Sequence, residues 1–527
     1  MMGDRLLETP TTSEHAITVR DLTIRVGPRD LLRRAGFRVP WGELCLLVGA
    51  SGTGKSLTLA LLSGLLELSG AVHVEGEVRV LGHDPLRRRA AGIPGTGILF
   101  QDFALFDDLD AAGNVRFALD HGSRSEKGGE EEVRGLLEEF HLRPDAIPAL
   151  MSGGMRQRLA LARVLAFRPR LIFHDEPTSG LDPAMSKRVA QRIRQVHDEH
   201  GMTTLVVTHD LSSLLGIADR VIFLNPEELA FRDVPLSKVD ETLAALEGFQ
   251  PSDESGPAPR GTPAERVVRF LESAGDFVLG AIATLASLVP RFPRRRWGRH
   301  FLWYDFRLTT FGTAIPFLGL AGLITGFITT WFMFSLLPVR GYTEPVLIEE
   351  FLGSLGFALY RVAVPTITSL LFASRAGAAV AADVGNRRLQ RQTEALRSFG
   401  VDPGRYLFTS ITLASLVGIP LLFLVAALMA YLTSVGVFLA THPGHGTFAF
   451  RELFFEMLEG PGPLPRGTAF VLGKLLLSAL GTAGIAWHIG IRPKRSGAEV
   501  ARGVTDTIIR ATVFVLIVHL IFAFIEF

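Results

Sequence analysis

Residues 308–339 run for 32 positions without a charged side chain. A helix crossing a bilayer needs about 20 apolar residues, and more when tilted, so this stretch is long enough for one span with interfacial ends. Four further runs share its character. Residues 351–374 are interrupted only by Arg361, and 406–441 hold no charge but contain Gly418 and Pro420. Residues 467–491 contain Lys474 and His488, and 507–525 carry Arg510 near their start. The pattern predicts an all-α transmembrane domain over 301–527 with about five spans, the third of them long or kinked at its proline.

The loops between spans give an orientation. Residues 375–405 hold Arg375, Arg387, Arg388, Arg391, Arg397 and Arg405, and 492–502 hold Arg492, Lys494, Arg495 and Arg502. The opposite side, 340–350 and 442–466, has three arginines against Glu344, Glu349, Glu350, Glu452, Glu456 and Glu459. The basic side is the cytoplasmic one. A charge inside a span is costly unless paired or hydrated, so Arg361 is expected to face a central cavity or to snorkel to the membrane surface. Small residues at Ala376, Gly377, Ala378, Ala379, Ala381 and Ala382 predict close helix contact. The charged segment 387–397 is expected to form a cytoplasmic helix, either solvated or docked on a neighbouring domain near Gln101.

The N-terminal part reads differently, with charges throughout. Residues 1–20 carry Asp4, Glu8 and Glu14 and no apolar core segment, which is not a signal-peptide pattern, so residues 1–235 are expected in the cytoplasm. The formal net charge of +1 argues against a nucleic-acid partner. Cys45, the one cysteine, lies in an apolar run and reads as a core residue. Residues 15–26 and 72–81 alternate as strands do, while 44–48, 171–173 and 204–207 are short apolar strands. Strand–loop–helix repeats predict an α/β sheet with ligands at the carboxyl ends of its strands. Residues 236–266 read as a flexible linker. Residues 267–300 read as an interfacial amphipathic helix with a basic elbow at Arg291, Arg294, Arg295, Arg296 and Arg299, or as a soluble amphipathic helix.

Three motifs carry chemistry. Residues 49–56 match the phosphate-binding pattern G-x-x-x-x-G-K-S/T, after an apolar strand and before a helix expected over 55–66. Gly49, Gly52 and Gly54 let backbone N–H groups around Ser51 converge on phosphate oxygens, Lys55 reaches the terminal phosphates and Ser56 ligates Mg²⁺. The strand at 171–173 delivers Asp175 to the Mg²⁺ shell and Glu176 to the attacking water. His174 sits where an aliphatic side chain would pack better and reads as a tolerated edge position. Ser152, Gly153 and Gly154, at the start of a helical run over 156–166, form a second anion site.

That third motif, within Met151-Ser152-Gly153-Gly154-Met155, resembles the L-S-G-G-Q signature of the ATP-binding cassette family. Gln101 then resembles that family's Q-loop glutamine, a Mg²⁺ and water contact. Ser179-Gly180-Leu181-Asp182 resembles its D-loop, and His209 its switch histidine. The resemblance implies a P-loop NTPase fold with a mixed sheet, ATP and Mg²⁺ as ligands, and a homodimer, because each ATP lies between the phosphate loop of one cassette and the signature of another. Met155 and Met151 depart from the signature. Val26 stands where many cassettes stack adenine on an aromatic ring.

The sequence is also similar to the maintenance-of-lipid-asymmetry (Mla) transporters. The likeness lies at 100–108 and 152–156 in the cassette, and at Leu371-Phe372-Ala373-Ser374-Arg375-Ala376-Gly377 through Gly385, 394–403 and 497–505 in the membrane half. It implies an ATPase and its permease fused in one chain of the cytoplasmic (inner) membrane and a phospholipid or related cargo. It also implies a separate periplasmic lipid carrier of the mammalian-cell-entry (MCE) type and room for a small cytoplasmic accessory subunit. Arg361 becomes the candidate contact for a lipid phosphate, although Val362 replaces the family's following glutamate. Two alternatives stay open: a complex that transmits strain and moves no cargo, and an exporter of small hydrophobic compounds.

Overall fold

The computed structural model describes residues 14–50, 52–67, 72–87, 92–122, 129–239, 289–290, 292–336, 344–460 and 462–526. Ser51, most of the expected linker and most of the expected interfacial helix lie outside the described residues. The chain divides into two compact units. One joins residues 1–259 to an inserted segment, 390–402, and the other holds 260–389 and 403–527.

The first unit contains two sheets. A six-stranded sheet runs in the order β5 (Thr96–Leu99), β6 (Leu171–Asp175), β7 (Thr203–Thr208), β3 (Leu44–Val48), β8 (Arg220–Asn225), β9 (Ala230–Val234). Its neighbours pair in parallel except β8 and β9, so the sheet is mixed as expected. β3, β6 and β7 are buried along their whole length, the mark of strands covered on both faces. The alternating segments form a separate antiparallel sheet, β2 (Arg29–Pro40), β1 (His15–Val26), β4 (Val72–Val80). Cys45 is buried and unbonded to another cysteine, as read. The helix after the phosphate loop, α1 (Lys55–Leu62), stops short of 66, because the chain turns at Ser63 and at Gly64, whose φ of +74° no helix accommodates.

His174 corrects the edge reading. It lies on β6, hydrogen-bonded between β5 and β7, and is 3% exposed. Its Nδ1 has no protein partner, and burial pulls the imidazole down to about 4.

The second unit is helical, with five helical stretches among the described residues long and apolar enough to cross a membrane: Arg295–Ser335, Ile348–Leu389, Gly404–Thr441, Thr468–Gly490 and Gly497–Glu526. The first begins within the expected basic elbow and bends at Gly312, where φ is +64°. The second contains a π-helical turn, Ala358–Ala363, which carries Arg361. Pro420 lies inside one continuous helix, Thr409–Thr441. Close approach depends on small residues, as the sequence implies. A Cβ on Gly322 or Gly326 would strike the backbone of Ala426 or Ala430, and one on Gly377 would meet Thr482 at 3.0 Å.

Candidate functional site

Three parallel strands end at the same place. β3 leads into the phosphate loop, β6 ends at Asp175 with Glu176 next, and β7 ends one residue before His209. The adjacency of β3, β7 and β6 therefore brings together residues far apart in sequence. Gly52 and Gly54 take φ of +78° and +100°, and nothing lies within 4 Å of where a Cβ on Gly52 would stand. The Lys55 ammonium donates to the carbonyls of Gly49 and Ala50 at 2.8 and 2.9 Å, which lays it across the loop. Burial pulls its pKa down, while Glu176 and Asp175 oppose that shift. Ser56 is exposed at the start of α1 (Lys55–Leu62). An open glycine cradle, a cation across it and a carboxylate pair at the next strand end fit a Mg²⁺-bound triphosphate.

Glu176 has a φ of +48°, an uncommon conformation for a residue with a side chain. His209 Nδ1 lies 3.2 Å from Glu176 Oε2, so the residue assigned to water and the one that resembles a switch histidine touch each other. Gln101 Nε2 donates to Ser179 Oγ at 3.3 Å, joining the expected Q-loop and D-loop. Asp182 caps the helix Pro183–His200, its Oδ1 accepting from Ala184 and Met185 at 3.0 Å. Ser152 caps the signature helix Gly153–Ala166, its Oγ accepting from Met155 at 3.3 Å. Cβ atoms on Gly153 and Gly154 would meet nothing within 4 Å, so that helix tip is open.

Of the two expectations for segment 387–397, solvated or docked near Gln101, its part within 390–402 follows the docked one, inside the first unit. The expected helix over 387–397 is broken. One helix runs on to Leu389, Arg391 takes a left-handed φ of +56°, and a short helix, Gln392–Ser398, begins after it. Arg391 Nη1 donates to Asp175 Oδ2 at 2.7 Å. Gln392 donates to Asp107 at 3.0 Å, Arg397 pairs with Glu67, and Gly92 N–H donates to the Arg397 carbonyl at 2.9 Å. Phe399 packs at 5.2 Å from the Phe167 ring and 5.6 Å from the Arg163 guanidinium. Arg163 in turn donates to the carbonyls of Phe103 and Ala104, both at positive φ just after Gln101. Contacts thus run unbroken from the segment to the Gln101 loop. Asp175 is titrated by opposing causes: burial raises its pKa most, and Arg391 holds it down.

In the second unit, Arg361 corrects the expectation of a charge facing a cavity alone. Its Nε lies 2.6 Å from Glu526 Oε1, and Lys474 Nζ lies 2.5 Å from Glu526 Oε2 and donates to the Arg361 carbonyl at 2.8 Å. These three side chains are 11%, 0% and 4% exposed in the order Arg361, Glu526, Lys474, so the in-span charges are largely spent on one another. Arg375, in the small-residue motif, donates to the carbonyls of Leu308, Thr309 and Phe311, closing the end of the helix Arg295–Thr310.

Residues 32–179 match the family described as ABC transporter, and 307–525 match Permease MlaE. An Fe(3+) ions import ATP-binding protein of Streptomyces avermitilis is 38% identical over 241 residues, covering 44% of this chain and 68% of the relative. The chain belongs to the ABC transporter family. It joins an ABC ATPase domain to an MlaE-family permease domain. A sulfate/thiosulfate import ATP-binding protein of Chromobacterium violaceum is 37% identical, covering 40% of the transporter and 59% of the relative. A solved dimeric bacterial ABC transporter cassette is 28% identical, covers 42% of the transporter and 98% of that cassette, and gives a TM-score of 0.35. The transporter spans about two thirds or less of the length of these curated relatives.

Proposed function

We propose that the transporter moves phospholipid or a related lipid between the cytoplasmic membrane and a separate periplasmic MCE-type carrier, driven by ATP hydrolysis. The observation that carries this reading is the MlaE-family permease at 307–525. The enclosure of Arg361, Lys474 and Glu526 supports it, because it leaves span surfaces built from residues such as Leu320, Phe327, Leu424 and Leu516. The import proteins of iron and sulfate are ATP-binding proteins that cover 44% and 40% of this chain, so their printed cargoes are not carried over to it.

Two copies are required. The open tip at Ser152, Gly153 and Gly154 is the second wall of an ATP site whose first wall is Gly49 to Ser56 on the other copy, giving a closed two-fold pair. Mg²⁺-bound ATP supplies the phosphoryl-transfer energy when present. Lys55 would hold the terminal phosphates, Ser56, Asp175 and Gln101 would hold the metal, and Glu176 would take the proton of the attacking water. His209 orients Glu176 through their 3.2 Å contact. Asp182 sets the D-loop by capping the helix that follows. The ATPase part read from the sequence as 1–235 also takes in segment 390–402, which groups with the first unit. A small cytoplasmic accessory subunit is a further expected partner.

The test is mass spectrometry of lipids copurifying with the full chain, followed by fluorescent-lipid transfer in proteoliposomes. ATP-dependent transfer, lost in Glu176→Gln, is the expected result. ATP hydrolysis without any lipid movement, in the presence of the carrier, overturns the lipid reading. Mass photometry tests the pairing, since a monomer hydrolysing at full speed is incompatible with a shared site.

A further inference from the structure

Arg391 belongs to the stretch that leaves the membrane domain at Leu389 and returns to it at Pro403, yet its guanidinium is bonded to the carboxylate assigned to Mg²⁺. The Asp175 side chain is 5% exposed and the Arg391 side chain 37% exposed, so the pair is sheltered on the acid side. Segment 390–402 has other anchors, at Asp107, Glu67 and the Phe117–Phe167 pocket. Its contact with Asp175 is therefore not needed merely to dock it. The left-handed backbone at Arg391 is uncommon for a residue with a side chain, and it lies at the junction that aims this arginine.

Two cations cannot share a sheltered carboxylate without repelling each other. We infer that Arg391 and Mg²⁺ compete for Asp175, so that metal-nucleotide loading releases the Arg391 end of segment 390–402 while its other anchors hold. The effect is reciprocal by linkage: whatever holds Arg391 on Asp175 weakens Mg²⁺ binding, and Mg²⁺ loosens Arg391. The chain running from one permease helix to the next thereby senses whether the ATP site is loaded. Arg391 is a positioning residue acting through Asp175. The inference rests on the assignment of Asp175 as a Mg²⁺ ligand.

The full chain carrying Glu176→Gln, in nanodiscs, is titrated with Mg²⁺ at a fixed concentration of a fluorescent ATP analogue. Adding Arg391→Gln is expected to lower the half-saturating Mg²⁺ about threefold or more, the range of a partly exposed ion pair. Nucleotide binding in EDTA stays the same, and Arg391→Lys stays near the parent. An unchanged or raised midpoint overturns the inference. Hydrogen exchange of the 390–402 amides in the Glu176→Gln chain gives a readout free of the Arg391 substitution. Exchange at 390–393 is expected to quicken with Mg²⁺-ATP relative to ATP in EDTA, and equal exchange in both overturns it. Asp175→Asn separates the two assignments. If that variant keeps full Mg²⁺ dependence, Asp175 is not the ligand. If it loses the dependence while Arg391→Gln changes nothing, only the competition is wrong.

Discussion

The two units use the same residue types to opposite ends. In the ATPase unit, Lys55, Asp175, Glu176 and His209 gather at the ends of adjacent parallel strands, with the glycine loop left open beside them. In the membrane unit, Arg361, Lys474 and Glu526 gather just as closely but form ion pairs with one another. Tyr304, Asp383 and Arg387 are likewise bonded together, with Tyr304 Oη donating to Asp383 at 2.8 Å and Arg387 at 2.7 Å from that acid. The difference teaches that the open loop, and not a lack of partners, marks the site: Asp175 is paired with Arg391 and Glu176 with His209, yet the glycine cradle beside them stays open. In an apolar surround an unmatched charge is too costly to keep, so the fold neutralises it. At a strand end beside an open loop, a ligand completes the set.

The contrast breaks most decisively at Glu176. Glu176→Gln should slow steady-state ATP hydrolysis about a thousandfold while leaving nucleotide binding intact. Robust turnover by that variant would remove Glu176 from its role. Glu526→Gln should destabilise the membrane unit by about 3–4 kcal/mol in detergent unfolding, because two buried cations lose their shared anion. Arg361→Ala should cost less, since Lys474 keeps Glu526, and a double-mutant cycle should show strong coupling between the two positions. Simple additivity would mean the cluster is not a unit.

The docked segment sharpens the comparison at a smaller scale. Phe399→Ala removes a ring packed against Phe167 and Arg163 and should weaken docking by about 3 kcal/mol. The expected readout is ATPase activity that no longer responds to added lipid. His174 gives the smallest effect. Its buried imidazole titrates at about 4, whereas the unfolded one titrates near 6.5, so the unfolded chain binds more protons between those values. Stability is therefore lost as pH falls through that window, by about 2 kcal/mol at pH 5. His174→Leu should flatten the stability profile there, and an unaltered slope would assign the acid sensitivity to other groups.

Much of this was legible beforehand, for reasons that differ by region. The phosphate loop, Asp175–Glu176 and the Ser152 helix tip are local devices whose spacing already encodes their geometry. The spans were legible because a bilayer demands length and apolarity, both one-dimensional quantities. Their ends were less so. Segment 387–397 looked like one charged helix, yet the left-handed turn at Arg391 divides it between two units.

By itself, then, the sequence determined that one chain holds a phosphate-binding α/β ATPase and a five-span membrane domain, since glycine spacing and uncharged length depend on neighbours along the chain. Only the tertiary structure decided that Arg361 is held by Glu526, that Phe399 closes on Arg163, and that Arg391 lies on Asp175. Those partners are separated by 165, 236 and 216 residues, and no local rule of period or propensity reaches that far.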